Sequence, residues 1–199
     1  MSEMERVLNF WFGELNEKGR ADELHVRRWF AKDPEFDEAI RREFGELYEA
    51  VVCGERDDWL ESGRGLLAIV VVIDQFSRNL FRDSAAMYAH DARGLEVALT
   101  GIQRGDDREL QHAQRSFLYM PLMHSEDLAI QNRCVELFTA WRDELKGDAR
   151  ESVAFSLRYA IDHMEIVERF GRFPHRNEIL GRESTAEERE FLKQPGSSF

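Results

Sequence analysis

Apolar residues recur along most of this chain at intervals of three and four, the period of a helix with one buried face. Val7, Leu8, Trp11, Phe12 and Leu15 share a side of a helix predicted over residues 4–15, and a shorter helix is predicted over 21–30. Asp33-Pro34 is a strong start signal. Aspartate can accept the first amides, and proline in the first turn forfeits no helical bond. The helix it opens should run to about Gly54, with Phe36, Ile40, Phe44, Leu47, Tyr48 and Val51 along one face.

Residues 65–81 pose the one ambiguous pattern. LLAIVVVI is rich in β-branched residues and alone resembles a buried strand. The segment nevertheless continues through Asp74-Gln75-Phe76-Ser77-Arg78-Asn79 without a turn signal, which favours a helix. A helix apolar on every side belongs at a protein's centre, and its polar end would carry Asp74, Arg78 and Asn79 into or beside the core.

From there the pattern predicts a helix capped by Ser84 and ending at Arg104, then one over 110–123 opened by Asp106 and Glu109 and kinked or ended at Pro121. Ser125, with Glu126 and Asp127 in the first turn, should start a helix reaching Leu145. Asp148 should cap a long helix to Phe170, and Thr185 with Glu188 forms a capping box for a last short one. Residues 190–199 form an expected loose tail unless Phe199 docks. No biased linker divides the chain, so one all-α domain over 1–199 is expected, built of antiparallel helix pairs. A weak internal echo relates Phe76, Arg78, Asn79 and Arg82 to Phe173, Arg176, Asn177 and Arg182.

The formal charge of −12 argues against duplex nucleic acid and anionic membranes as partners, since both demand a broad basic face. The longest purely apolar run, 66–73, falls far short of the roughly 20 residues that span a bilayer. The N-terminus lacks a signal-peptide core, and Cys53 and Cys134 fit no paired spacing, so a reducing cytoplasm is the expected location.

Against that acidic background, residues 170–182 gather Arg172, His175, Arg176 and Arg182 with Asn177 around a Gly-Phe-Pro turn. Such guanidinium groups grip carboxylate or phosphate with paired bonds. The competing reading has the arginines, Arg78 and Arg82 included, pairing internally with Asp74, Glu126, Asp127, Asp162 or Glu165. His124, Glu126, Asp127 and His163 are candidates for acid–base work. His163 is equally readable as a hydrogen-bonded core histidine, and Ser125, Glu126 and Asp127 as capping residues. No metal is expected, because no histidine pair has ligand spacing and Glu109-x-x-His112 is only half of a di-iron signature. No nucleotide, flavin or nucleophile-elbow motif is present, so no cofactor is expected.

DQFSRNLFR (74–82), FLYMPLMHSEDL (117–128), FGRFPHRN (170–177) and LGRESTAEE (180–188) together resemble the domain-of-unknown-function family numbered 924. The likeness spans nearly the whole chain, with Ser77 standing where proline is often expected. It implies a tetratricopeptide-like helical fold and no assigned activity. The matching positions are Asp74, Gln75, Arg78, Asn79, His124, Glu126, Asp127, Arg172, His175, Arg176 and Asn177. The expectation is a binding module whose groove, lined by 74–82 and 170–182, takes an acidic peptide or small anion. In it Asp74, Arg78, Asn79, Arg172, His175, Arg176 and Asn177 would touch the ligand. The alternative is a small-molecule hydrolase or other acid–base enzyme. There His163 or His124 would be the base, Glu126 or Asp127 its orienter, and Arg78, Arg172 and Arg176 the anion clamp.

Overall fold

The protein's fold is known from a computed structural model, which describes residues 1–198. The docking considered for Phe199 lies outside the described residues. These are helical throughout, with no strand among them. They form two compact units: Met1–Arg82 with Ala86–Pro121, and Asp83–Ala85 with the chain from Leu122 onward.

In the first unit α1 (Glu3–Phe12) buries Val7, Leu8, Trp11 and Phe12. Trp11 meets Phe36, Phe76 and Phe117 at ring distances of 6.0, 5.7 and 5.7 Å, an aromatic nest centred on that indole. The helix stops at Phe12 rather than Leu15. Gly13 turns with φ +62°, and a Cβ there would lie 2.5 Å from the His25 ring of α2 (Glu23–Phe30). Trp29 of α2 donates its Nε1 to the Trp11 carbonyl at 2.8 Å, while Phe30 is 72% exposed. α3 (Pro34–Val52) begins as predicted, with Asp33 accepting from Glu35 N and Phe36 N.

The ambiguous stretch is helical. α4 (Gly63–Val70) passes through a π turn, Val71–Phe76, into α5 (Ser77–Leu80). Every residue from Gly65 to Ser77 is buried, Asp74 and Gln75 included. The next helix, α6 (Asp91–Arg104), starts later than Ser84. Asp83 takes φ +63° and Ala85–Tyr88 makes a short 3-10 turn, so Ser84 caps nothing of α6. Asp106–Arg108 is likewise a 3-10 turn, and α7 (His112–Met123) opens on a different pair from Asp106 and Glu109. Gln114 reaches back to accept from Gln111 N at 3.2 Å, the carboxamide half of a capping box. Pro121 does not end α7 but lies inside it. It stands three positions from the end, where its missing amide costs one bond only.

In the second unit α8 (Leu128–Glu144) and α9 (Gly147–Phe170) are joined by Leu145–Lys146, so they fold back on each other. Cys134, Phe138 and Trp141 from α8 and Val153, Leu157 and Ala160 from α9 are buried. Asp127, not Ser125, caps α8, accepting from Ala129 N and Ile130 N, and Lys146 rather than Asp148 occupies the cap position of α9. After Phe170 come a 3-10 turn, Pro174–Arg176, and α10 (Ala186–Phe191), which carries the predicted Thr185–Glu188 capping box in full.

One carboxylate anchors the polar end of the α4–α5 segment. Asp37 accepts from Asn79 at 2.7 Å and from both nitrogens of Arg82 at 2.7 and 2.8 Å. Partial burial works to raise its pKa, but Arg82 and Asn79 outweigh it and hold the carboxyl below its ordinary value. Asp37→Ala is expected to cost about 2–4 kcal/mol in urea denaturation, near the value for a broken buried pair. A loss under about 0.5 kcal/mol would make this an exposed-type ion pair.

Candidate functional site

The sequence-predicted residues divide between the two units. Asp74, Arg78 and Asn79 lie in the first, where each makes internal bonds. Arg78 ion-pairs with Asp74 at 3.3 Å, takes Asp91 in a two-pronged grip at 3.1 and 3.2 Å, and lies over the Tyr88 ring. Asn79 is committed to Asp37.

His124, Glu126, Asp127, His163, Arg172, His175, Arg176 and Asn177 lie in the second unit. The centre of the group is Phe173, wholly buried at the start of the 3-10 turn. His163 stands edge-on to its ring at 5.6 Å, His175 lies 5.6 Å away, and the Arg176 guanidinium covers it at 4.6 Å. His124 completes the cluster with its ring 6.3 Å from that of His163, and its carbonyl accepts from Arg176 Nη2 at 2.9 Å.

Each member is held by a bond the local sequence does not advertise. Glu126 grips Arg182 through paired bonds of 2.6 and 2.9 Å and accepts from Phe173 N at 2.8 Å, which locks the 3-10 turn to the segment before α8. Asn177 Oδ1 braces the same guanidinium at 3.0 Å. Arg172 pairs with Glu188 at 2.6 and 2.8 Å, and the bonds from Arg172 depress the Glu188 carboxyl to about 2. Gln131, unmentioned in the sequence reading, is wholly buried and donates to the carbonyls of Met123 and Ser125 at 2.7 and 2.6 Å, thereby fixing the turn that carries His124. Only its position on the inner face of α8 could have signalled it.

The whole chain can now be set beside known proteins. The profile of a bacterial protein family of unknown function, DUF924, matches residues 7–196. The chain belongs to this family. A solved structure, that of a protein of unknown function, ATU0120, from Agrobacterium tumefaciens, is 37% identical over 96% of each chain with a TM-score of 0.80. No curated protein matches. Membership in the DUF924 family brings the all-helical fold and no chemistry, so the site has to be read from its atoms.

His163 Nδ1 lies 2.7 Å from the Tyr159 carbonyl, which can only accept. The ring proton therefore sits on Nδ1, and Nε2 carries the lone pair. Burial first, then His124, pushes His163 down to about 3, and burial with Arg176 pushes His175 down to about 4. Glu126 pulls His175 the other way and is outweighed. The imidazoles are thus neutral at pH 7 beside a desolvated guanidinium. The carboxylates expected to orient a catalytic histidine carry other bonds, Glu126 to Arg182 and Asp127 to the first amides of α8. Among the described residues no three His, Cys, Asp or Glu side chains are arranged to hold a metal ion, and no helix is long and apolar enough to cross a membrane.

A histidine kept neutral by folding takes up protons more readily when unfolded. Stability is therefore complete above the unfolded value near 6.5 and is lost as pH falls toward 4, above the range where most carboxylates titrate. At pH 5 each of His163 and His175 is expected to remove about 2 kcal/mol relative to pH 7.5. His163→Gln, which keeps a donor for the Tyr159 carbonyl, should take away about half of that slope in urea titrations. An unchanged slope would mean His163 is not protonated on unfolding in this window.

Proposed function

We propose that this protein is a helical-repeat-like binding module for a small anionic ligand, and that the ligand is met by Arg176, His124, His163 and His175 in the second unit. The observation that supports this most directly is the convergence on Phe173 of the His163 and His175 imidazoles, both kept neutral by burial, and the buried Arg176 guanidinium, with His124 beside His163. That makes a locally positive, desolvated spot in a chain of net charge −12. A guanidinium out of water offers stronger, better-directed bonds to an anion than one on the surface. Arg172 and Asn177 act in this reading as positioning residues through Glu188 and Arg182. Asp74, Arg78 and Asn79 are scaffolding of the first unit. A reducing, cytoplasmic setting goes with the proposal, since Cys53 and Cys134 are thiols.

The acid–base enzyme reading is less well supported. A general base works best with a pKa near the operating pH. His163 at about 3 is far too weak, and the carboxylates assigned to orient it have other partners.

Anion binding beside neutral histidines favours their protonated forms, so it should be coupled to proton uptake. Calorimetry with inorganic phosphate and malonate is expected to give saturable binding that tightens several-fold between pH 7.5 and 5.5, with net protons taken up. Arg176→Lys, which keeps the charge and loses the paired donors, should weaken binding about tenfold. The absence of saturable binding by either anion across that pH range would overturn the reading, as would an unaffected Arg176→Lys variant.

A further inference from the structure

Two clefts lie in the first unit. One, of about 310 Å³, opens between the end of α1 and the start of α7. That volume falls within the roughly 300–1,000 Å³ of small-ligand sites. Its floor is Leu8 and Phe12, its walls carry the carboxamides of Asn9, Gln111 and Gln114, and Arg64 and Glu14 stand at its edge. A second depression of about 480 Å³ adjoins it, sharing Leu15 and Gln111.

The polar atoms of the first cleft are arranged in a specific sense. Gln114 is 5% exposed, and its Oε1 is taken by Gln111 N. What it leaves open to the cleft is therefore Nε2, an amide donor on a buried side chain that reaches the solvent of the cleft and has no protein acceptor among the described residues. Asn9 is the reverse case. Its Nδ2 is directed at Met1 Sδ at 3.2 Å, so it offers the acceptor Oδ1. Arg64 adds no unbalanced charge, because Glu5 holds it through bonds of 3.1 and 2.7 Å.

The wall is also rigid. Asn16 Oδ1 accepts from Lys18 N and Arg20 N at 2.9 and 3.2 Å, and the Gly19 carbonyl accepts from Ala113 N at 2.9 Å. Gly19 has φ +69°, and a Cβ there would lie 2.7 Å from His112 N, so the loop is pressed against the start of α7.

A cleft with an apolar floor, a donor on one wall, an acceptor on another and no unpaired cation in its lining matches a secondary amide, which brings a carbonyl and an N–H in one plane. We propose that this cleft binds the backbone amide of a short peptide, with the peptide carbonyl accepting from Gln114 Nε2, its N–H donating to Asn9 Oδ1 and one apolar side chain over Leu8 and Phe12. Neither phosphate nor a free carboxylate fits, since the rim already holds Glu14 and a neutralised Arg64.

The test is an NMR titration of the ¹⁵N-labelled full chain with N-acetyl-leucine N-methylamide. The Gln114 side-chain NH₂ signals and the Gly13 and Gln111 amides are expected to move saturably. N-acetyl-N-methyl-leucine dimethylamide, which keeps both carbonyls and lacks both N–H groups, should bind about fivefold more weakly. Gln114→Met, equal in volume, should abolish the response of Gly13 and Gln111. Asn9→Leu, at an exposed position outside the core, should do the same and gives the result even if Gln114→Met fails to fold. No saturable movement at tens of millimolar diamide would overturn the assignment. So would equal binding of the N-methylated diamide, or an undiminished response in Asn9→Leu.

Discussion

The candidate site of the second unit depends on one carboxylate. Glu126 binds two nitrogens of Arg182 and the backbone amide of Phe173. In doing so it fastens the turn bearing His175 and Arg176 to the segment bearing His124. Three strong bonds, all charge-assisted because the carboxylate accepts each of them, hold partly exposed side chains in one geometry. Without them the ring of Phe173 and the imidazoles about it would have no common frame. The pKa of Glu126 is lowered accordingly: burial opposes ionisation, and Arg182 with the Phe173 amide prevails.

The first unit uses the same device. Asp37 is bound by Arg82 and Asn79 much as Glu126 is bound by Arg182, which Asn177 braces in turn. The echo between the 76–82 and 173–182 segments therefore has a physical content: an Asn–Arg pair seated on a carboxylate supplied by a distant helix or turn. In both units the pair consumes charge that would otherwise be a candidate for ligand binding.

How far the sequence was readable follows from the range of each interaction. Asp33-Pro34 and the Thr185–Glu188 box were legible because both partners lie within three residues. The apolar stretch before Asp74 was legible as a helix because it ran on without a turn, although nothing in it announced a π turn. The start of α7 was misread because the Gly19 carbonyl that accepts from Ala113 N lies far off in sequence, and Gln114 at the third helical position has no Ser or Thr cap before it to mark it. The role of Glu126 was misread for the same reason. Beside Ser125 and Asp127 it looks like a helix start, yet Arg182 lies 56 residues on. Internal pairing of the arginines was foreseen as a class, whereas the partners Asp37, Asp91 and Glu188 were not among those considered.

The central claim is that folding keeps the histidines around Phe173 neutral and leaves them beside an anion-seeking guanidinium. It is tested most directly by following the imidazole ¹⁵N and ¹³C signals of His163 and His175 against pH, with and without sulfate. The account predicts that His163 stays in the Nδ1–H form and neutral down to about pH 4, and that sulfate moves both titrations upward. Titration of His163 near pH 6.5, indifferent to sulfate, would contradict it.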